Sequence, residues 1–118
     1  LVANAIKFNR DGGRVVVEAH DDTIAVTLSV TDDGIGVEPA LVGRLFHPFE
    51  RLGAAARARP GTGLGLALSR TLVRAMAGEL AYAPRRDGRP GSTFALTLPR
   101  AYEAPAPSPA PTPREALA

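Results

Sequence analysis

The chain has 118 residues, 45% of them hydrophobic and 22% charged, with a formal net charge of +2. That length suits one domain with a modest core, and the charge is too small to argue by itself for a nucleic-acid partner. The absence of cysteine excludes disulfides and thiolate metal sites, no apolar run approaches the length of a membrane span, and no charged-then-apolar leader opens the chain.

Leu1-Val2-Ala3-Asn4-Ala5-Ile6 reads as the middle of a helix, an opening expected of a fragment. Residues 1–8 are helical and apolar, and Asn9-Arg10-Asp11-Gly12-Gly13 is a turn. Arg14 to His20 carries the β-branched run Val15-Val16-Val17. After the tight turn at Asp21-Asp22, Thr23 to Thr31 alternates strictly, with Ile24, Val26, Leu28 and Val30 on one face. These two strands predict a hairpin with one face in a core. Asp32 follows at the strand end. Pro39 opens a short helix over Ala40 to Leu45, which Phe46-His47-Pro48-Phe49 breaks. Leu52 to Pro60 reads as a mobile segment. A helix from about Leu64 to Ala77 carries the apolar stripe Leu64, Leu68, Leu72, Ala75 and Met76, with Arg70 and Arg74 on its other side. Gly78 is placed as its stop. Glu79 to Tyr82 and Ser92 to Leu98 are strands about a turn at Pro84 to Gly91, and Phe94, Leu96 and Leu98 share a face. From Ala104 to Pro113 proline stands at nearly every second position, so residues 101–118 read as a disordered Pro/Ala-rich tail. Strands and helices are grouped, not alternating, which favours a two-layer α/β sandwich of the α+β class with a mostly antiparallel sheet.

Four groups of residues could carry chemistry. Asp32-x-Gly34-x-Gly36 places an aspartate where it can accept a charge-assisted hydrogen bond, worth about 1.5–3 kcal/mol, from a buried exocyclic amine. Its glycines let the backbone turn sharply towards a planar base; the same residues also read as a plain Asp-Gly turn. Gly61-x-Gly63-x-Gly65 precedes a helix, where free N–H groups and the helix dipole favour an anion; it also reads as a hinge. It is no Walker loop, since no Lys-Ser/Thr pair follows, and its glycine spacing is not that of the dinucleotide fingerprint. Asn4 and Lys7, three apart, share a helix face. An Asn amide oxygen suits Mg²⁺ and Lys7 can pair with phosphate, although two polar residues on an exposed face are the plainer reading. Lys7 is nevertheless the only lysine among 14 basic residues. Phe46 and Phe49 flank Pro48 as hydrophobic anchors for a loop, and Arg51 follows within reach of a phosphate. Neither His20 nor His47 sits on an amphipathic helix beside an acidic residue, so both read as structural or solvent-facing.

Together these pieces resemble the histidine kinase ATP-binding domain, of the superfamily that also holds the gyrase-type ATPases, the heat-shock chaperone of ninety kilodaltons and the mismatch-repair ATPases. Asn4-Ala5-Ile6-Lys7-Phe8 looks like its asparagine box and Asp32-Asp33-Gly34-Ile35-Gly36 like its first glycine box. Leu45-Phe46-His47-Pro48-Phe49-Glu50-Arg51 looks like its phenylalanine box and Gly61-Thr62-Gly63-Leu64-Gly65-Leu66-Ala67 like its second glycine box. Gly91-Ser92-Thr93-Phe94 to Pro99 is similar to its closing strand.

The resemblance covers roughly residues 1–99 and implies a Bergerat-type sandwich over residues 1–100. It also implies an ATP and Mg²⁺ site made of Asn4, Lys7, Phe8, Asp32, Gly34, Gly36, Phe46, Phe49, Arg51, Gly61, Thr62, Gly63, Leu64 and Gly65. In it Asp32 meets the adenine amine, Asn4 holds Mg²⁺, and Lys7 and Arg51 face phosphates. Gly61, Gly63 and Gly65 shape the phosphate side of a short lid, residues 52–60. The family's asparagine box begins several residues earlier, so the chain is expected to be N-terminally truncated. The implied activity is transfer of the ATP γ-phosphoryl to a histidine on a separate dimerisation domain, with a response regulator downstream, in the cytoplasm. The parent protein's membrane anchoring stays open, and no nucleic acid or direct membrane contact is expected. Without the histidine-bearing domain the chain alone is expected not to phosphorylate itself. An anti-sigma-type serine kinase switch, or a nucleotide-binding module without transfer activity, are the alternatives.

Overall fold

A computed structural model describes residues 1–51 and 63–101. The valine-rich strand β1 (Val15–Asp21) and the alternating strand β2 (Ala25–Asp32) form the expected hairpin. Asp22 closes it, its Oδ1 accepting the N–H groups of Ile24 and Ala25 at 2.9 Å each, because a short carboxylate can stand in for a backbone acceptor in a tight turn. β3 (Glu79–Pro84) and β4 (Ser92–Pro99) form the second hairpin, and β4 inserts between β2 and β3. The order is β1-β2-β4-β3 and every pairing is antiparallel. Helix α1 (Val2–Lys7) packs on β1 and β2, and α2 (Gly65–Ala75) on β3. The architecture is thus the α+β two-layer sandwich read from the sequence.

Directly opposed residues of an antiparallel ladder point to the same face. Val30 faces Phe94, and Leu80 faces Leu96. With Ala5, Leu45 and Val73, the buried Val30, Leu80 and Phe94 form the core. The other face carries Thr27, Ser29 and Thr31 against Thr97, Ala95 and Thr93. Two hydroxyl pairs tie it together, Thr27 with Thr97 at 3.1 Å and Thr31 with Thr93 at 3.0 Å.

Four expectations are corrected. The short helix after Pro39 is a 3-10 helix, Pro39–Arg44. Ile24 lies outside β2, in the turn, and is exposed, and Leu28 is only partly covered, so the alternating face is core at its Val30 end alone. On α2 the apolar stripe is not the buried face: Leu64, Leu68, Leu72 and Met76 are all exposed, while Val73, roughly a quarter-turn away, is buried. The docked side has its partners off the helix. Glu79, at the start of β3, accepts from Arg70 at 3.2 Å and Arg74 at 3.4 Å, and Arg70 stacks over the Phe46 ring at 4.6 Å. The Arg70–Val73 side of α2, which makes these contacts, is the side that meets the sheet.

Finally, Ala77 and not Gly78 takes the left-handed position after α2, with φ +60. Gly78 N–H reaches the Val73 carbonyl at 2.9 Å and Ala77 N–H the Arg74 carbonyl at 3.0 Å, the paired bonds of a Schellman stop. Gly78 is needed for space: a Cβ there would overlap the Thr97 carbonyl. The predicted tail lies almost wholly outside the described residues, as do residues 52–60.

Candidate functional site

The site is built where β2 ends. Asp32 is 6% exposed, on the core face of the sheet. Its Oδ1 accepts the Gly34 N–H at 2.8 Å and the Ser92 N–H at 3.3 Å. The second bond exists because Asp32 and Ser92 are direct partners in the β2–β4 register. Among the described residues Oδ2 takes no hydrogen bond, yet no fully buried side-chain oxygen lacks a partner. Oδ2 therefore opens onto accessible space. Burial pushes the Asp32 carboxyl above its usual 3.8, against the pull of the Gly34 and Ser92 amides. The arrangement is an enclosed acceptor with one lobe fixed and one lobe offered to a donor.

The glycines behave as close approach requires. A Cβ on Gly34 would overlap the Phe8 carbonyl and lie 2.9 Å from Asp32 Oδ1. Gly36 has φ +69, which a side chain would strain. The Phe8 carbonyl, at the end of α1, accepts the Ile35 N–H at 3.2 Å. The asparagine-bearing helix and the first glycine segment are thereby joined through main chain. On α1, Asn4 and Lys7 are both half-buried, and the Lys7 ammonium lies 5.0 Å from the Phe8 ring centre.

A second group gathers nearby. Phe46 meets Phe94 edge-on at 6.4 Å. Phe94 opposes Val30 on the same sheet face that carries Asp32. Phe49 was expected to be an anchor, but its ring is 74% exposed. At φ +63 it turns the chain so that its N–H reaches the Gly63 carbonyl at 3.0 Å. The main chain does the anchoring, and the ring is thrown outward. Gly63 has φ +74, and a Cβ there would lie 2.8 Å from the Phe49 carbonyl carbon. The phenylalanine and second glycine segments are therefore joined. Arg44 braces them with a forked pair to Glu50, at 2.7 and 2.8 Å. Arg51 is half-buried, Leu64 precedes α2, and Gly65 is its first residue, with open space where a Cβ would stand. Gly61 and Thr62 lie outside the described residues. His20 and His47 are exposed, as expected.

Sequence reasoning missed three participants. Ser92 supplies the second amide to Asp32, and Gly91 packs so tightly against the Asp32 carbonyl that a Cβ would overlap it. Asp33 faces the other way and gathers Arg14, Arg10 and Arg85. The glycine before β4 was the available signal for the first two. The pairing of Asp33 with Arg85, 52 residues away, had none.

The site is thus an enclosed aspartate in a two-layer sandwich, framed by glycines on one side and an asparagine-bearing helix on the other. Residues 1–102 match the family model described as histidine kinase-, DNA gyrase B- and HSP90-like ATPase, and the chain belongs to that family. It is 38% identical over 99 residues to the histidine protein kinase DivJ of Caulobacter vibrioides, covering 84% of this chain and 16% of that protein. To the sensor protein TorS of Escherichia coli it is 37% identical over 108 residues, covering 91% of this chain and 11% of that protein. It therefore spans a sixth or less of the length of these relatives. Among solved structures, the mycobacterial sensor histidine kinase MprB superposes with a TM-score of 0.72 at 35% identity, covering 81% of this chain and 64% of that one. Full-length ShkA in complex with AMPPNP gives 0.69 at 32% identity, covering 87% of this chain and 20% of that one. The chain is thus a histidine kinase-type ATP-binding catalytic domain. Among the described residues no helix is long and apolar enough to cross a membrane.

Proposed function

We propose that this domain binds Mg-ATP and presents the γ-phosphoryl to a histidine on a separate dimerisation domain of a two-component sensor kinase, which then serves a response regulator. The observation that carries the reading is the Asp32 carboxylate, with Oδ1 fixed by two amides and Oδ2 left for a donor. An adenine amine fits that acceptor, since it offers an N–H to the unpaired carboxylate oxygen.

The other roles follow the family resemblance. Phe8, Gly34 and Gly36 form the wall beside the base. Phe46 and the Phe49–Gly63 junction, with Leu64 and Gly65, would form the other margin, and Gly61 and Thr62, assigned to it by the resemblance, lie outside the described residues. Asn4 would hold Mg²⁺ through its amide oxygen, and Lys7 and Arg51 would face phosphates. When bound, Mg²⁺ supplies neutralisation of phosphate charge. The chain's own contribution is placement and electrostatics, since phosphoryl transfer asks for little covalent chemistry from the protein. The accepting histidine belongs to the partner domain, and the chain alone would not phosphorylate itself.

Calorimetric titration with AMPPNP, with and without Mg²⁺, tests the reading. The parent should bind, and Asp32→Asn should lose about 1.5–3 kcal/mol of affinity, the worth of a charge-assisted hydrogen bond. Equal binding by parent and variant would overturn the role of Asp32. Asn4→Ala should remove the Mg²⁺ dependence while leaving metal-free binding in place.

A further inference from the structure

We propose that Arg85 is a positioning residue for adenine recognition: by bridging Asp33 and Asp87 it clamps the β3–β4 turn against the end of β2, which keeps the Ser92 amide on Asp32. The proposal rests on the nucleotide reading of Asp32. Arg85 makes no hydrogen bond to that carboxylate; its bonds go to Asp33 and Asp87, and it acts on the main chain beside Asp32.

The Arg85–Asp33 half of the clamp is enclosed, and Asp87 is half exposed. The Arg85 and Asp33 side chains are 10% and 11% exposed. Arg85 Nη1 donates to Asp33 Oδ1, while Nε donates to Asp87 Oδ1 at 3.0 Å and Nη2 to Asp87 Oδ2. The planar fork thus serves two carboxylates at once, which a lysine ammonium cannot reproduce. Asp33 is held from the other side by the Arg14 N–H at 2.9 Å, and the Arg10 and Arg14 guanidinium groups lie at 3.7 and 3.6 Å. Enclosed ion pairs often add little stability over apolar packing, and their best-attested use is to fix one arrangement against its neighbours.

What this pair fixes is next to the base acceptor. Asp33 follows Asp32 directly, and Arg85 opens the turn that ends at Gly91-Ser92. Gly91 leaves no room for a Cβ against the Asp32 carbonyl, and a Cβ on Gly36 would lie 3.2 Å from the Gly91 carbonyl oxygen. Turn, strand end and first glycine segment are in contact. Of the two amides on Asp32, Gly34 is local and close, at 2.8 Å. Ser92 is remote and longer, at 3.3 Å, so it is the bond that a small shift would break. A hollow of about 160 Å³ lined by Arg10, Asp33, Gly34, Arg85, Arg89 and Pro90 lies beside the clamp. It gives the turn somewhere to go once the guanidinium is removed.

The test uses the full 118-residue chain, with Arg85→Gln, Arg85→Lys and Asp33→Asn measured beside the parent. AMPPNP and GMPPNP are titrated separately, the weaker ligand by competition, and each variant is melted without ligand. Each substitution should weaken AMPPNP roughly tenfold, the scale of one loosened hydrogen bond to a charged group, and leave GMPPNP unchanged. The adenine preference therefore narrows. Arg85→Lys keeps the charge and carries the test if Arg85→Gln does not fold. Equal weakening of both nucleotides, or an unchanged preference in folded variants, overturns the role of Arg85 alone. A parent that binds neither nucleotide overturns the nucleotide reading and this proposal with it.

Discussion

Asp32 sits in a poor place for a charge. Burial raises its pKa; the Gly34 and Ser92 amides and the Arg85 charge draw it down, while the Asp33 charge pushes it up. The net direction is above the usual 3.8. An amine donor needs the ionised form, so adenine affinity should be full at neutral pH and fall as pH drops through that raised value. Calorimetry across the acid range checks this, and Asp32→Asn should abolish the pH dependence. A raised carboxylate pKa also means that ionisation costs the folded state stability. The unliganded Asp32→Asn chain should therefore melt no lower than the parent, even as it loses the nucleotide. Gly34→Ala has no such compensation. Its methyl would meet the Phe8 carbonyl and Asp32 Oδ1, and it should cost about 1–3 kcal/mol in denaturant unfolding, the usual cost of overpacking.

At the scale of elements, α2 shows what a period can and cannot tell. The apolar spacing of Leu64, Leu68 and Leu72 located a helix, but the face that docks is the one carrying Val73 and Arg70, with partners on β3 and in the preceding loop. No local pattern announces Glu79 as a partner of that face. Truncation measurements should separate the two readings. Leu80→Ala, at a residue 1% exposed, should cost about 2–5 kcal/mol, whereas Leu72→Ala, at 56%, should stay within about 0.5 kcal/mol. The stop after α2 offers a gain. Ala77→Gly relieves a left-handed alanine and should stabilise by about 1 kcal/mol, read as a raised melting temperature. Phe49 teaches a related lesson. Its position in the motif was legible, but its positive φ, and hence the exposed ring, follows from a main-chain bond to Gly63 that no side-chain pattern encodes.

For the molecule as a whole, the two hairpins and the two-layer class were legible because alternation at β2 and β4 and grouped elements leave few arrangements, whereas the insertion of β4 between β2 and β3 was not. Main-chain bonds join the described motif segments in pairs, α1 to the first glycine segment through Phe8 and Ile35, and the phenylalanine segment to Gly63 through Phe49. What lay beyond reach was the cross-chain wiring of Asp33, Arg85 and Ser92, which depends on register. That wiring sets the acid limit of the fold. The Arg14 amide and Arg85 hold Asp33 below its usual 3.8, Arg85 does the same for Asp87, and the Ile24 and Ala25 amides do so for Asp22. Depressed carboxylates contribute stability above their unfolded values and lose it as pH falls through the folded ones. The urea midpoint should thus drop as pH goes below about 4, with Asp32 opposing weakly. The bond from Ser92 to Asp32 has a further consequence. It joins residues 60 apart, and β4 reaches β2 only after the whole intervening chain is in place. Closing so long a loop is slow and entropically costly. A chain in which β4 has not docked would hold every glycine of the motif and still lack the second amide on Asp32.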